Sequence, residues 1–234
     1  MHLPTAAVFG EAPVIHLLGI AAEAQGPARS PTLDDELARL DRTIGISSTA
    51  SWALPMSTLA ALLELIADIL EADPAHDTPP AFRAALERAA EGTDPPGYLR
   101  TLAGLVRLDA DRQYVDHREL RCAPWETDAL FPRLQRFGNQ WLDARGSGDG
   151  AGAGHFAYGV RQGIEHIHAD LHGCPEQLAA LGAEAQRMLL LFPTPRRLRD
   201  NVRSRLHWAT QDTVRTVLTQ LTDHMDRHHA QHPD

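Results

Sequence analysis

The chain contains no lysine, only two cysteines and few aromatic residues, and each shortage excludes something. Without lysine, all 22 fixed positive charges are arginines, against 31 acidic residues and a formal net charge of −9. Binding along an extended nucleic acid needs a surplus of cations on one face, so that class of partner is excluded. Cys122 and Cys174 are far apart and in no Cys-x-x-Cys spacing, which offers neither a disulfide framework nor a thiolate zinc motif and fits a reducing compartment. Aromatics are 6% of the residues, which favours aliphatic helix packing over an aromatic-rich sandwich. No apolar run approaches the ~18 residues of a membrane span. The N-terminal stretch lacks a basic start and carries Glu11 and His16 within it, so it does not read as a signal peptide. The expected location is the cytoplasm, with no membrane partner.

What remains is an ordinary globular composition, 43% hydrophobic and 23% charged over 234 residues. The periodicity is helical. Thr32 followed by Asp34, Asp35 and Glu36 has the chemistry of a helix start, and Gly45 that of a stop. From Ser57 to Glu71, Leu59, Leu62, Leu63, Leu65, Ile66, Ile69 and Leu70 are apolar almost all round, as in a central helix capped by Ser57 or Thr58. Further helices are predicted over 81–91, 98–108, 128–144, 155–172, 175–192 and 197–229. Residues 14–20 read equally as a short strand or a buried helical turn. With no strand–helix alternation, the expectation is an all-α bundle of about seven helices, a single domain over 1–234, with a flexible glycine-rich loop at 146–154.

Thirteen histidines, most of them after residue 150, carry the main chemical signal. Imidazole is the commonest metal ligand, and side chains three or four apart on a helix can meet one ion. Glu165, His168 and His172 share one stripe of their predicted helix, and His224 and His228 share a face of the last one. If those helices pack side by side, the five residues could surround zinc or iron, or two histidines could ligate a haem. Glu165-x-x-His168 resembles half of the di-iron motif of ferritin-like bundles. That motif needs a second copy and two more glutamates, and the nearest match here is Asp226-x-x-His229. A metal- or haem-binding protein acting on a small molecule is therefore one expectation. The other is a non-catalytic regulatory or interaction module with a solvated histidine stripe, self-associating as a homodimer.

Two charge patterns complete the reading. Glu64, Asp68 and Glu71 fall on one face of the central helix, similar to the magnesium-holding acids of all-α pyrophosphohydrolases. Those enzymes carry a second acidic pair on the next helix, where 81–91 offers only Glu87 and Glu91, so a solvated structural face is expected. Arg196, Arg197, Arg199, Arg203 and Arg205 sit at a predicted helix start, where the dipole is already positive. They are expected to pair with acids of the same chain or of a second copy, with Asp34–Glu36, Glu119 and Glu126 as the candidates, or otherwise to hold a small anion.

Overall fold

The computed structural model describes residues 12–24, 31–46, 54–110, 120–142, 153–170 and 174–229. The glycine-rich segment 146–154 lies almost wholly outside them, as do His172 and Glu119. Among the described residues there are eleven α-helices, two π-helical turns and no strand. The all-α class holds, and the count of about seven was too low. The chain divides into two compact units, Met1–Leu120 and Arg121–Asp234.

In the first unit, α1 (Ala12–Ala24), α2 (Leu33–Ile46), α3 (Met56–Ala72), α4 (Pro80–Ala90) and α5 (Pro95–Ala110) enclose a largely aliphatic core. The segment left open as strand or helix is helix α1, with Val14, Leu17, Leu18 and Ala21 buried at helical spacing. Helix α2 starts as its residues predict. The Asp35 amide donates to Thr32 Oγ1 at 3.1 Å and the Thr32 amide donates back to Asp35 Oδ2 at 3.1 Å, a reciprocal cap. The expected cap of α3 is corrected: Pro55 occupies the cap position, and neither Ser57 nor Thr58 closes the helix end.

Helices α3 and α5 pack antiparallel, with Leu59, Leu63 and Ile66 buried on one and Leu99, Leu102 and Val106 on the other. The acidic face of α3 meets arginines of α5. Arg100 pairs with Asp68 at 2.9 Å and with Glu71, and Arg107 binds both oxygens of Glu64. Those hydrogen bonds from Arg107 hold the Glu64 carboxyl below its usual range. The three acids thus have structural partners.

The second unit departs further from the expected boundaries, each time for a local reason. The predicted helix 128–144 is two short helices, α6 (Pro124–Leu130) and α7 (Pro132–Phe137), followed by a π-helical turn at Gly138–Leu142. Pro132 has no amide to extend α6, so α6 ends and α7 begins with the proline at its first position. Helix α8 (Ala153–His168) ends four residues earlier than predicted. A second π-helical turn, Cys174–Leu178, then leads into α9 (Ala179–Leu191). The predicted helix 197–229 is also two, α10 (Pro195–Val202) and α11 (Gln211–His229), separated by turns.

Glycine sets how closely α8 can be approached. A Cβ at Gly159 would lie 2.8 Å from the Trp141 carbonyl oxygen, and one at Gly163 would lie 2.5 Å from the Phe137 ring. The Gly138 position is filled in the same way by the Trp208 indole. These contacts seat the first π turn on α8 and fix the helix that carries His168.

The arginine run is not the start of a long helix. Arg196 and Arg199 each reach Asp200 at 3.6 Å, and Arg205 pairs with Asp128 at 3.1 Å. Pairing within the chain is borne out for these three residues. The partners, however, are Asp200 and Asp128, not the acids the sequence put forward.

Candidate metal centre

Three elements of the second unit converge on one point. His168 is the last residue of α8, Cys174 opens the second π turn, and His224 lies on the buried face of α11. Their donor atoms all lie within 4.8 Å of one another. His168 Nδ1 is 3.0 Å from Cys174 Sγ, and Cys174 Sγ is 3.4 Å from His224 Nε2. Both Cys174 and His224 are 4% exposed, whereas His168 opens to solvent. Burial raises the Cys174 thiol above its ordinary range, so protein packing alone disfavours the thiolate.

The elements around this point explain why it forms. Val214, Val217 and Leu221 bury one face of α11, and His224 continues that face by three residues. The Gln220 amide donates to the Ala157 carbonyl at 3.0 Å, tying α11 to α8. A π turn accommodates one more residue than an α turn, and such widenings recur at functional sites. Here it carries Leu178 into the core while Cys174 stays among the histidines.

The residues named from spacing fare differently. His168 and His224 meet as expected. His228 places its ring 4.7 Å from that of His168 and 4.6 Å from that of His224, measured between centroids, but its side chain is exposed, not buried with His224. Glu165 lines the same groove, with Arg161, Gln220, Asp223 and Arg227, and its carboxylate accepts from Gln162 at 3.0 Å. His172 lies outside the described residues. His166, on another face of α8, packs against Trp141 with ring centroids 5.1 Å apart.

Cys174 is the residue that sequence reasoning missed. No second cysteine stands near it in sequence, yet a mixed site needs only one thiolate among imidazoles. The one usable signal was its place just beyond the end of a helix bearing His168.

No protein family matches the chain, and no curated protein or solved structure is detectably similar to it. The functional reading therefore rests on the centre itself. Among the described residues, no helix is long and apolar enough to cross a membrane.

Proposed function

We propose that the protein binds a transition metal ion, of the zinc class, through His168, Cys174 and His224. The observation that carries this reading is the convergence of two imidazoles and a thiol from three separate elements. Ligand bonds of about 2.0–2.1 Å to nitrogen and 2.3 Å to sulfur put neighbouring donors of a tetrahedral ion about 3.5 Å apart. The observed separations of 3.0 and 3.4 Å are close to that value. Hard cations such as magnesium prefer oxygen donors, so a thiol with imidazoles selects zinc, copper or iron.

A single ion fits better than haem. A porphyrin plane must pass between its two axial imidazoles, and the rings of His168 and His224 are in edge contact with centroids only 4.7 Å apart. The burial of His224 likewise favours a metal site over an interaction module with a solvated histidine stripe, since a solvated stripe gives no reason to bury an imidazole beside a thiol. An ion also supplies what packing withholds. Its positive charge stabilises the thiolate that burial disfavours, and binding releases the thiol proton.

The test is metal analysis of the untagged full chain after dialysis against zinc, beside the variant Cys174→Ser. One zinc per wild-type chain, held more weakly by the variant in chelator competition, supports the reading. Equal zinc affinity in the two proteins overturns it.

A further inference from the structure

We infer that His228 is the fourth ligand of this centre, which makes the site closed and structural instead of open and catalytic; the inference rests on the metal-binding reading above. Three protein donors leave one corner of a tetrahedron. Water at that corner is the usual arrangement of a catalytic zinc site, whereas a fourth side chain is that of a structural one. Deciding between them decides what kind of protein this is.

The rings of His168, His224 and His228 form a nearly equilateral triangle, with centroid separations of 4.7, 4.7 and 4.6 Å. Imidazoles bound to one tetrahedral ion at about 2.0–2.1 Å from nitrogen place their centroids about 5 Å apart. The third ring therefore already stands at about the distance from the other two that a ligand's ring would keep. Its nitrogens are not yet inside the cluster of donors, and turning the ring is what brings one in. That motion costs little, because the outer torsion of a histidine is broad and this side chain is exposed. Helical geometry helps, since His224 and His228 are one turn apart on α11 and can grip one ion together.

Other groups line the same groove, and none competes as well. Glu165 and Asp223 are the nearby carboxylates; like His228 they stand outside the donors that lie within 4.8 Å, but only His228 already has its side chain against both imidazoles. Glu165 is also held by Gln162. Arg161 and Arg227 repel a cation. A centre of three neutral imidazoles and one thiolate carries one net positive charge with a divalent ion, and the two carboxylates and two arginines of the groove cancel and leave that charge unchanged.

Cobalt(II) is the probe, because its visible spectrum distinguishes four-coordinate from five-coordinate geometry and sulfur ligation adds a near-ultraviolet band. The expected wild-type spectrum is intense and tetrahedral, carries the sulfur band and does not respond to added azide. His228→Ala should keep the sulfur band and give a weaker spectrum that responds to azide. It should bind cobalt at least about tenfold more weakly, the floor set by losing even an outer-shell partner. Free imidazole should restore its wild-type spectrum, and His228→Asn should behave as the alanine variant does. A wild-type spectrum that already responds to azide, or one unchanged by either substitution, overturns the assignment of His228. Failure of the wild-type chain to bind cobalt overturns the metal reading beneath it instead.

Discussion

Cys174 Sγ stands 3.4 Å from His224 Nε2, across fifty residues of sequence. Contact over that separation exists only when α11 and the second π turn are both in place, so filling the site should stabilise the fold. Zinc at one hundred times its dissociation constant is expected to add about 2.7 kcal/mol to stability. Thermal unfolding with zinc and with a chelator checks this. Cys174→Ser should show a smaller difference at the same zinc concentration.

Glu184 of α9 is the second long-range device in this unit. It is 2% exposed and accepts backbone hydrogen bonds from Arg133 at 2.9 Å and Leu134 at 3.0 Å, capping α7 from another helix. Replacing it with alanine leaves two amides at a helix start without their acceptor and should cost about 2–3 kcal/mol in chemical denaturation.

The same carboxyl predicts a pH dependence. Burial holds it above the usual glutamate range, against the opposing pull of the hydrogen bonds from Leu134 and Arg133. A raised folded-state value means the folded chain holds its proton longer than the unfolded one. Its contribution is therefore fully present below the ordinary glutamate value and is lost as pH rises through the raised value. The stability difference between wild type and Glu184→Gln should shift in that window and be flat above it. A difference that is constant with pH would contradict the assignment.

The ion pairs between α3 and α5 should behave in the opposite sense. Glu64 is held low by Arg107, so its contribution is present above the ordinary carboxylate range and fades as pH falls through the lowered value. These groups are exposed, and exposed pairs are screened by salt. Glu64→Gln is expected to lower the melting temperature slightly at low ionic strength and hardly at all at high salt. Isothermal titration with magnesium should show no binding to this face.

Gly163→Ala tests the seat of α8. The added methyl group would meet the Phe137 ring at 2.5–2.7 Å and Trp141 Cγ at 2.9 Å, so aromatic groups must move. The expected cost is about 1–3 kcal/mol. Because α8 positions His168, zinc affinity should fall with stability. Gly154→Ala, with open space around it, serves as the neutral comparison.

Local signals in the sequence carried most of the helical reading. The apolar faces of α3 and α11 are set by residues one turn apart, and the Thr32–Asp35 cap by residues three apart, so both could be read directly. What escaped was either a break or a distant pairing. Pro132 divides a stretch whose apolar spacing looks continuous, because periodicity records faces and not the loss of one amide. Glu184 looks like any surface acid until the start of α7 is set against it. Histidines 168, 224 and 228 were legible as candidates through helical spacing. Cys174 was not, because it lies six residues on, past the end of the helix that carries His168, and helical spacing says nothing beyond a helix end.

The π turn at Cys174–Leu178 gives the centre a discrete vulnerability. A turn of this kind is equivalent to one extra residue inserted into an α-helix. Removing a single residue from it would let α9 run on as a regular helix, and each residue of an α-helix advances the side chain by about 100°. Cys174 would swing away from both imidazoles while every residue of the core kept its identity. The difference between a chain that holds an ion and one that does not would then be a one-codon deletion that leaves every ligand residue present in the sequence.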